Sequence, residues 1–155
     1  MGLGQIVKRM FRGTVPLAIR AGGGTFVSAA PLGAAFKQLA AHATLGIAAY
    51  GNMITLLAAT GNTTDAWVHA IVVGQATAAG EFNIAITQET GAGAPTAAQL
   101  QAVVPAFVEA AGVAGDLVLP VNPPVYFAAG TLIQAAIAGT ATKKLDCAVI
   151  LSRNR

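Results

Sequence analysis

Residues 64–88, TDAWVHAIVVGQATAAGEFNIAITQ, decide the fold. Going in, Trp67, His69, Ile71 and Val73 alternate with Val68, Ala70 and Val72. Coming out, Phe82, Ile84 and Ile86 alternate with Asn83, Ala85 and Thr87. Successive side chains of a strand point to opposite sides of a pleated sheet, so a period of two signals strands. Residues 75–80 between them read as a turn, and the whole stretch is expected to be a β-hairpin. The first arm is apolar on both faces, which suits a sheet covered on both sides. The second arm is apolar on one face and partly polar on the other.

The same period recurs outward from this core. Residues 53–59 read as a strand after the turn signal Gly51-Asn52. Residues 39–49 are ambiguous, because alanine favours helix while Gly46 and Gly51 interrupt it. Residues 89–99 hold Gly91, Gly93 and Pro95 and read as a loop. Thr96 with Gln99 resembles a capping box, so a short helix over 97–104 competes with an edge strand over 100–108 containing Pro105; the strand is favoured. Residues 117–119 form a short strand stopped by Pro120, and Asn122-Pro123-Pro124 enforces an extended connection to 125–127. Residues 131–138 and 145–151 alternate cleanly around a polar turn and are expected to be a second hairpin. Short strands at this spacing predict an all-β fold: an antiparallel β-sandwich, jelly-roll-like. Trp67, Val68, Ile71, Phe82, Ile84, Leu132, Ile133, Val149 and Ile150 are the expected core.

Residues 1–39 differ in character. They carry the triple glycine Gly22-Gly23-Gly24, Pro16, Pro31 and a basic group of Lys8, Arg9, Arg12 and Arg20. They read as an extended N-terminal arm ahead of a sandwich domain over 40–155. A phosphate loop would need a following helix with Lys and Ser or Thr at fixed spacing, and the triple glycine has neither. After the first basic residues the apolar run is short and Arg20 interrupts it, which argues against a secretory signal. The uncharged run between Lys37 and Asp65 contains Gln38, His42, Asn52 and Thr55 and is too polar for a spanning helix.

The chain has 155 residues, 55% hydrophobic and only 10% charged, against roughly 25% charged in a soluble domain. A surface so poor in charge is weakly protected against association, so partner subunits are expected to cover much of it. The net charge is +3. Lys8, Arg9, Arg12 and Arg20 crowd one end of the sequence and Lys143, Lys144, Arg153 and Arg155 the other, with no basic residue between Lys37 and Lys143. Clustered charge suits docking on an acidic surface. Nucleic acid is disfavoured, because aromatics interleaved with the cations are needed to stack bases and only Phe11 qualifies.

The chemistry of a catalyst is thin. The titratable supply is His42, His69, Cys147 and six carboxylates. A nucleophile needs a base in reach and a group that orients the base. Asp65 and His69 lie roughly 13 Å apart along a strand and do not meet. Cys147, between Leu145 and Val149 on one face of the expected strand, reads as a small buried hydrophobe. Two separated histidines and one cysteine do not make a zinc site. The sequon Asn62-Thr63-Thr64 is read as chance. No catalytic, cofactor-binding or metal residue is assigned, and no cofactor is expected.

Three runs carry a resemblance: Tyr50-Gly51-Asn52-Met53-Ile54-Thr55-Leu56 with Ala58-Ala59-Thr60, then Asp65-Ala66-Trp67-Val68, and late in the chain Tyr126-Phe127-Ala128-Ala129-Gly130-Thr131. An aromatic-glycine turn before a strand, a second strand with tryptophan, and a Phe/Tyr strand leading into Ala-Gly-Thr come in that order. Over residues 50–151 the chain resembles small β-sandwich virion proteins of tailed bacteriophages. The resemblance implies a β-sandwich used as a head decoration, or cement, protein or as a fibre-type module; the decoration protein, on the capsid surface, would bind the major capsid protein and itself, as a homotrimer by preference or another closed oligomer. It also implies synthesis in the host cytoplasm and supplies no catalytic residue. The alternative is a tail-fibre or receptor-binding module recognising a host surface glycan, which should show aromatics on its loops; residues 74–80, 89–95 and 112–116 have none. Residues 1–39 depart from the pattern, and Lys8, Arg9, Arg12 and Arg20 are the expected partner-binding group.

Overall fold

The computed structural model describes residues 36–44, 46, 48–88, 91–139 and 141–153. Eight strands account for most of them: β1 (Lys37–Ala40), β2 (Ile54–Leu57), β3 (Ala66–Ala76), β4 (Gly80–Thr87), β5 (Leu100–Val108), β6 (Gly112–Phe127), β7 (Ile133–Gly139) and β8 (Lys144–Arg153). They form two antiparallel four-stranded sheets, ordered β1-β8-β3-β6 and β2-β7-β4-β5. The protein is an all-β sandwich. Strand by strand, β1 pairs β8, β2 pairs β7, β3 pairs β6 and β4 pairs β5. That is the order of one long antiparallel ribbon, folded between β4 and β5 and wound so that alternate rungs land in opposite sheets.

The inner faces hold the core. Val68, Ile71 and Val73 of β3 and Leu145, Cys147, Val149 and Leu151 of β8 face Phe82, Ile84 and Ile86 of β4 and Ile133, Ala135 and Ile137 of β7 in one buried cluster. The outer faces are covered unevenly. Phe36 packs over Ala70, Val72, Ala148 and Ile150 on the first sheet. Tyr50 and Met53, from the long β1–β2 connection, pack over Ala85, Ala136 and Ala138 on the second. This explains the apolar outer positions on β3 and β7: both faces of the central strands are covered.

Both expected hairpins are corrected. The strands of residues 64–88 are present as β3 and β4, but they lie in opposite sheets, and so do β7 and β8. Both edges of β3 are taken by β6 and β8, and both edges of β4 by β5 and β7. Residues 77–79 therefore arch across the core. They lack the Asn-Gly or Gly-X pair that a tight hairpin turn requires, and Thr77 instead bonds Lys144 at the start of β8.

A second correction concerns register. Strict alternation would put Trp67, His69, Ile71 and Val73 on one face, but β3 shifts between Val68 and Ala70 against both neighbours. His69 is the extra residue of a bulge. Val68, Ile71 and Val73 point into the core, and Trp67 moves to the outer face, only partly buried. The same shift opens β6, where Val68 pairs Val125 and Ala70 pairs Pro120, leaving residues 121–124 as an insertion. What reads as two short strands over 117–127 is therefore one edge strand, Gly112–Phe127.

Elsewhere the expectations and the structure meet part-way. The strand at 53–59 is present as β2, shorter than expected. Residues 97–99 make one 3-10 turn with the Thr96–Gln99 capping box, and Leu100–Val108 then runs as an edge strand through Pro105. Leu132 is half-buried, while Val68, Ile71, Phe82, Ile84, Ile133, Val149 and Ile150 are buried. β1 straddles the boundary drawn after residue 39 and hydrogen-bonds to β8. Lys8, Arg9, Arg12, Arg20, the triple glycine and Pro31 lie outside the described residues.

Candidate binding surfaces

Two regions stand out once the faces are assigned. The first is the outer face of the β1-β8-β3-β6 sheet, at the end where β3 begins. Tyr126 of β6, Trp67 of β3 and Ser152 of β8 sit opposite one another in a row. The rings of Trp67 and Tyr126 lie 5.3 Å apart between centroids, tilted by 54°, a favourable non-sandwich arrangement. Asp65, just ahead of β3, accepts the backbone N–H of Ala129 at 3.0 Å. Desolvation raises the pKa of the Tyr126 hydroxyl, and the nearby Asp65 carboxylate raises it further. Next to the row, His69 Nε2 and the Ser152 hydroxyl are hydrogen-bonded. Burial lowers the pKa of His69, because a charged imidazolium is disfavoured away from water.

The loops behind this row are braced by a buried asparagine. Asn62 Nδ2 donates to the carbonyls of Ala128 at 3.0 Å and Thr131 at 3.1 Å, and Gly130 N–H donates back to the Asn62 carbonyl at 2.6 Å. Asn62 is fully buried, so the sequon it begins is a structural tie between the β2–β3 and β6–β7 connections. Arg153 Nη2 adds a donor to the Gly61 carbonyl at 2.7 Å.

The second region is the pair of edge strands β5 and β6, which close one side of the sandwich. Edges are commonly guarded by charge or proline. Here the guards are prolines: Pro105 on β5 and Pro120, Pro123 and Pro124 on β6. Residues 91–108 and 117–142 contain no charged side chain. Four large apolar side chains of these two strands are exposed, Val103 (43%), Phe107 (62%), Val118 (39%) and Tyr126 (47%). A groove of about 500 Å³ runs between the edges, lined by Val103, Pro105, Pro120, Val121, Pro123 and Pro124. A second cavity of about 370 Å³ lies beside Phe107, with Glu81, Asn83, Pro105 and Gly139.

Other candidate chemistry is dispersed. Burial, with the Asp146 charge adding to it, pushes the Cys147 thiol far up and keeps it protonated. Among the described residues no three of His, Cys, Asp and Glu come together as a metal-binding group. No helix among them is long and apolar enough to cross a membrane. The basic residues that crowd the C-terminal end of the sequence are separated in space: Lys144 and Arg153 are the two ends of ten-residue β8, roughly 30 Å apart at about 3.3 Å per residue.

Sequence reading missed the Asp65–Trp67–Tyr126 grouping, because Trp67 alternates with apolar neighbours as a core residue does. The signal that could find it is Asp65 and Tyr126 each lying one or two residues from a strand end. No family model, no curated protein and no solved structure matches this chain.

Proposed function

We propose that this chain is a structural virion protein, a decoration protein that packs against the major capsid protein and its own copies on a capsid surface. The observation that carries the reading is the edge of β5 and the neighbouring part of β6, residues 100–108 and 117–125, which carry no charge and expose Val103, Phe107 and Val118. Large apolar side chains exposed along a sheet edge suit a protein interface, and an apolar edge would aggregate if left bare. A homotrimer, or another closed oligomer, covers it by symmetry. The wound-ribbon strand order supports a jelly-roll reading, an architecture used by viral capsid and lectin domains. Fold alone does not assign function, so it supports the reading without carrying it. Lys8, Arg9, Arg12 and Arg20 would add a salt-sensitive attachment to acidic groups of the shell.

The test is the copy number of this protein on the intact particle that contains it, by quantitative mass spectrometry. A decoration protein is expected at on the order of hundreds of copies, as the repeat symmetry of a shell requires. A few copies to a few dozen would overturn this reading in favour of a tail component.

A further inference from the structure

We propose that the outer face of the β1-β8-β3-β6 sheet carries a sugar-binding site, in which a neutral pyranose ring lies against Trp67 and Tyr126 and directs hydroxyls to Asp65. The two rings are in contact, at 5.3 Å between centroids, and Tyr126 is 47% exposed. Aromatic faces are electron-rich, which suits the C–H face of a pyranose. The same patch also carries hydrogen-bonding groups, so its chemistry is amphipathic. Asp65 is held by the Ala129 N–H at 3.0 Å, and its carboxylate acts on the neighbouring Tyr126 hydroxyl. An ionised carboxylate has about four acceptor positions, and the Ala129 N–H occupies one. The loops that carry Asp65 and Tyr126 onward are locked by Asn62, so the site is largely preformed, as small-molecule sites are.

The charges select the ligand class. Nucleic acid brings phosphates, which need cations, whereas the charge at this patch is the Asp65 carboxylate. The cation opposite Ala66 is Arg153, and its guanidinium is directed to the Gly61 carbonyl at 2.7 Å. A neutral polyhydroxyl ligand meets both the rings and the carboxylate without a charge conflict. Tyr126 lies on the outer face of its own sheet, whereas Val103 and Phe107 of β5 are exposed on the outer face of the other, so the site is separate from the β5 surface.

Trp67 is the single tryptophan, so its fluorescence reports directly on the site. The full chain would be titrated with maltohexaose, chitohexaose and mannohexaose, and in parallel with an oligothymidylate. The expected result is a saturable change in Trp67 emission with at least one of the oligosaccharides, insensitive to salt. Tyr126→Ala should weaken it at least roughly tenfold, as truncation of a central aromatic anchor does, while Tyr126→Phe keeps most of the ring contact. Melting temperatures of both variants control for folding, and Trp67→Phe, followed by retardation in polysaccharide gels, gives a second variant. No saturable change with any of the three sugars overturns the proposal. So does a response to oligothymidylate alone, or a folded Tyr126→Ala protein that binds sugar as the parent does.

Discussion

Thr77 and Lys144 hold each other in both directions: the Thr77 N–H donates to the Lys144 carbonyl at 3.0 Å, and the Lys144 N–H donates to the Thr77 hydroxyl at 2.9 Å. The pair joins the β3–β4 arch to the start of β8 and so fixes where the chain leaves one sheet for the other. Thr77→Val keeps the branched shape and removes the hydroxyl acceptor. It should cost about 0.5–1.5 kcal/mol, the net worth of an ordinary hydrogen bond, measured by urea unfolding. An unchanged midpoint would show that the arch is held by packing alone.

Phe82 is buried on the inner face of β4. Phe82→Ala should cost about 3–5 kcal/mol, through lost burial and the cavity left behind. Trp67→Phe, on the outer face, should cost well under that, and a larger loss at Trp67 than at Phe82 would reverse the assignment of faces.

How far the sequence specifies this fold follows from the same residues. The period of two locates β3, β4, β7 and β8 closely, because burial on one face is written directly into alternation. Which edge pairs with which is not written there, since every strand offers the same backbone groups on both sides. Hence the two arches read as hairpins. Alternation also fails at one point: His69 is inserted into the ladder, and every inference about faces upstream of it, Trp67 included, inverts. The Pro123-Pro124 break was legible as extended chain, but not as a bulge inside a single edge strand. The Trp67–Tyr126 contact joins residues 67 and 126, and no local pattern links positions so far apart.

Gly139, at the end of β7, has φ of +138°, and a Cβ there would stand 2.2 Å from the Glu81 carbonyl oxygen. Both the backbone conformation and the space require glycine. Gly139→Ala should destabilise the protein by about 1–3 kcal/mol, the cost of holding a strained backbone state, seen as a lower melting temperature. A neutral outcome would mean that β4 and β7 separate easily at this end.

The pH dependence has a definite sign at His69. Its folded pKa is lowered from 6.5 by burial, so the unfolded chain binds the proton more readily. Stability from this group is therefore fully present above about pH 6.5 and is lost as pH falls through that value toward the lower folded pKa. The melting temperature of the parent should fall over this window relative to His69→Gln, which lacks the titration. Parallel curves for the two proteins between pH 7 and pH 5 would remove His69 as the source.

That the exposed apolar edge of β5 with Val118 of β6 is an interface is tested most directly by light scattering coupled to size exclusion. At micromolar concentration the full chain should run as a closed oligomer, with a trimer expected. The double substitution Val103→Lys with Phe107→Lys, which places charges on the exposed side of β5, should give a folded monomer with the same β-sheet circular dichroism. A parent chain that is a stable monomer under these conditions, or a doubly substituted chain that keeps the parent's mass, would contradict it.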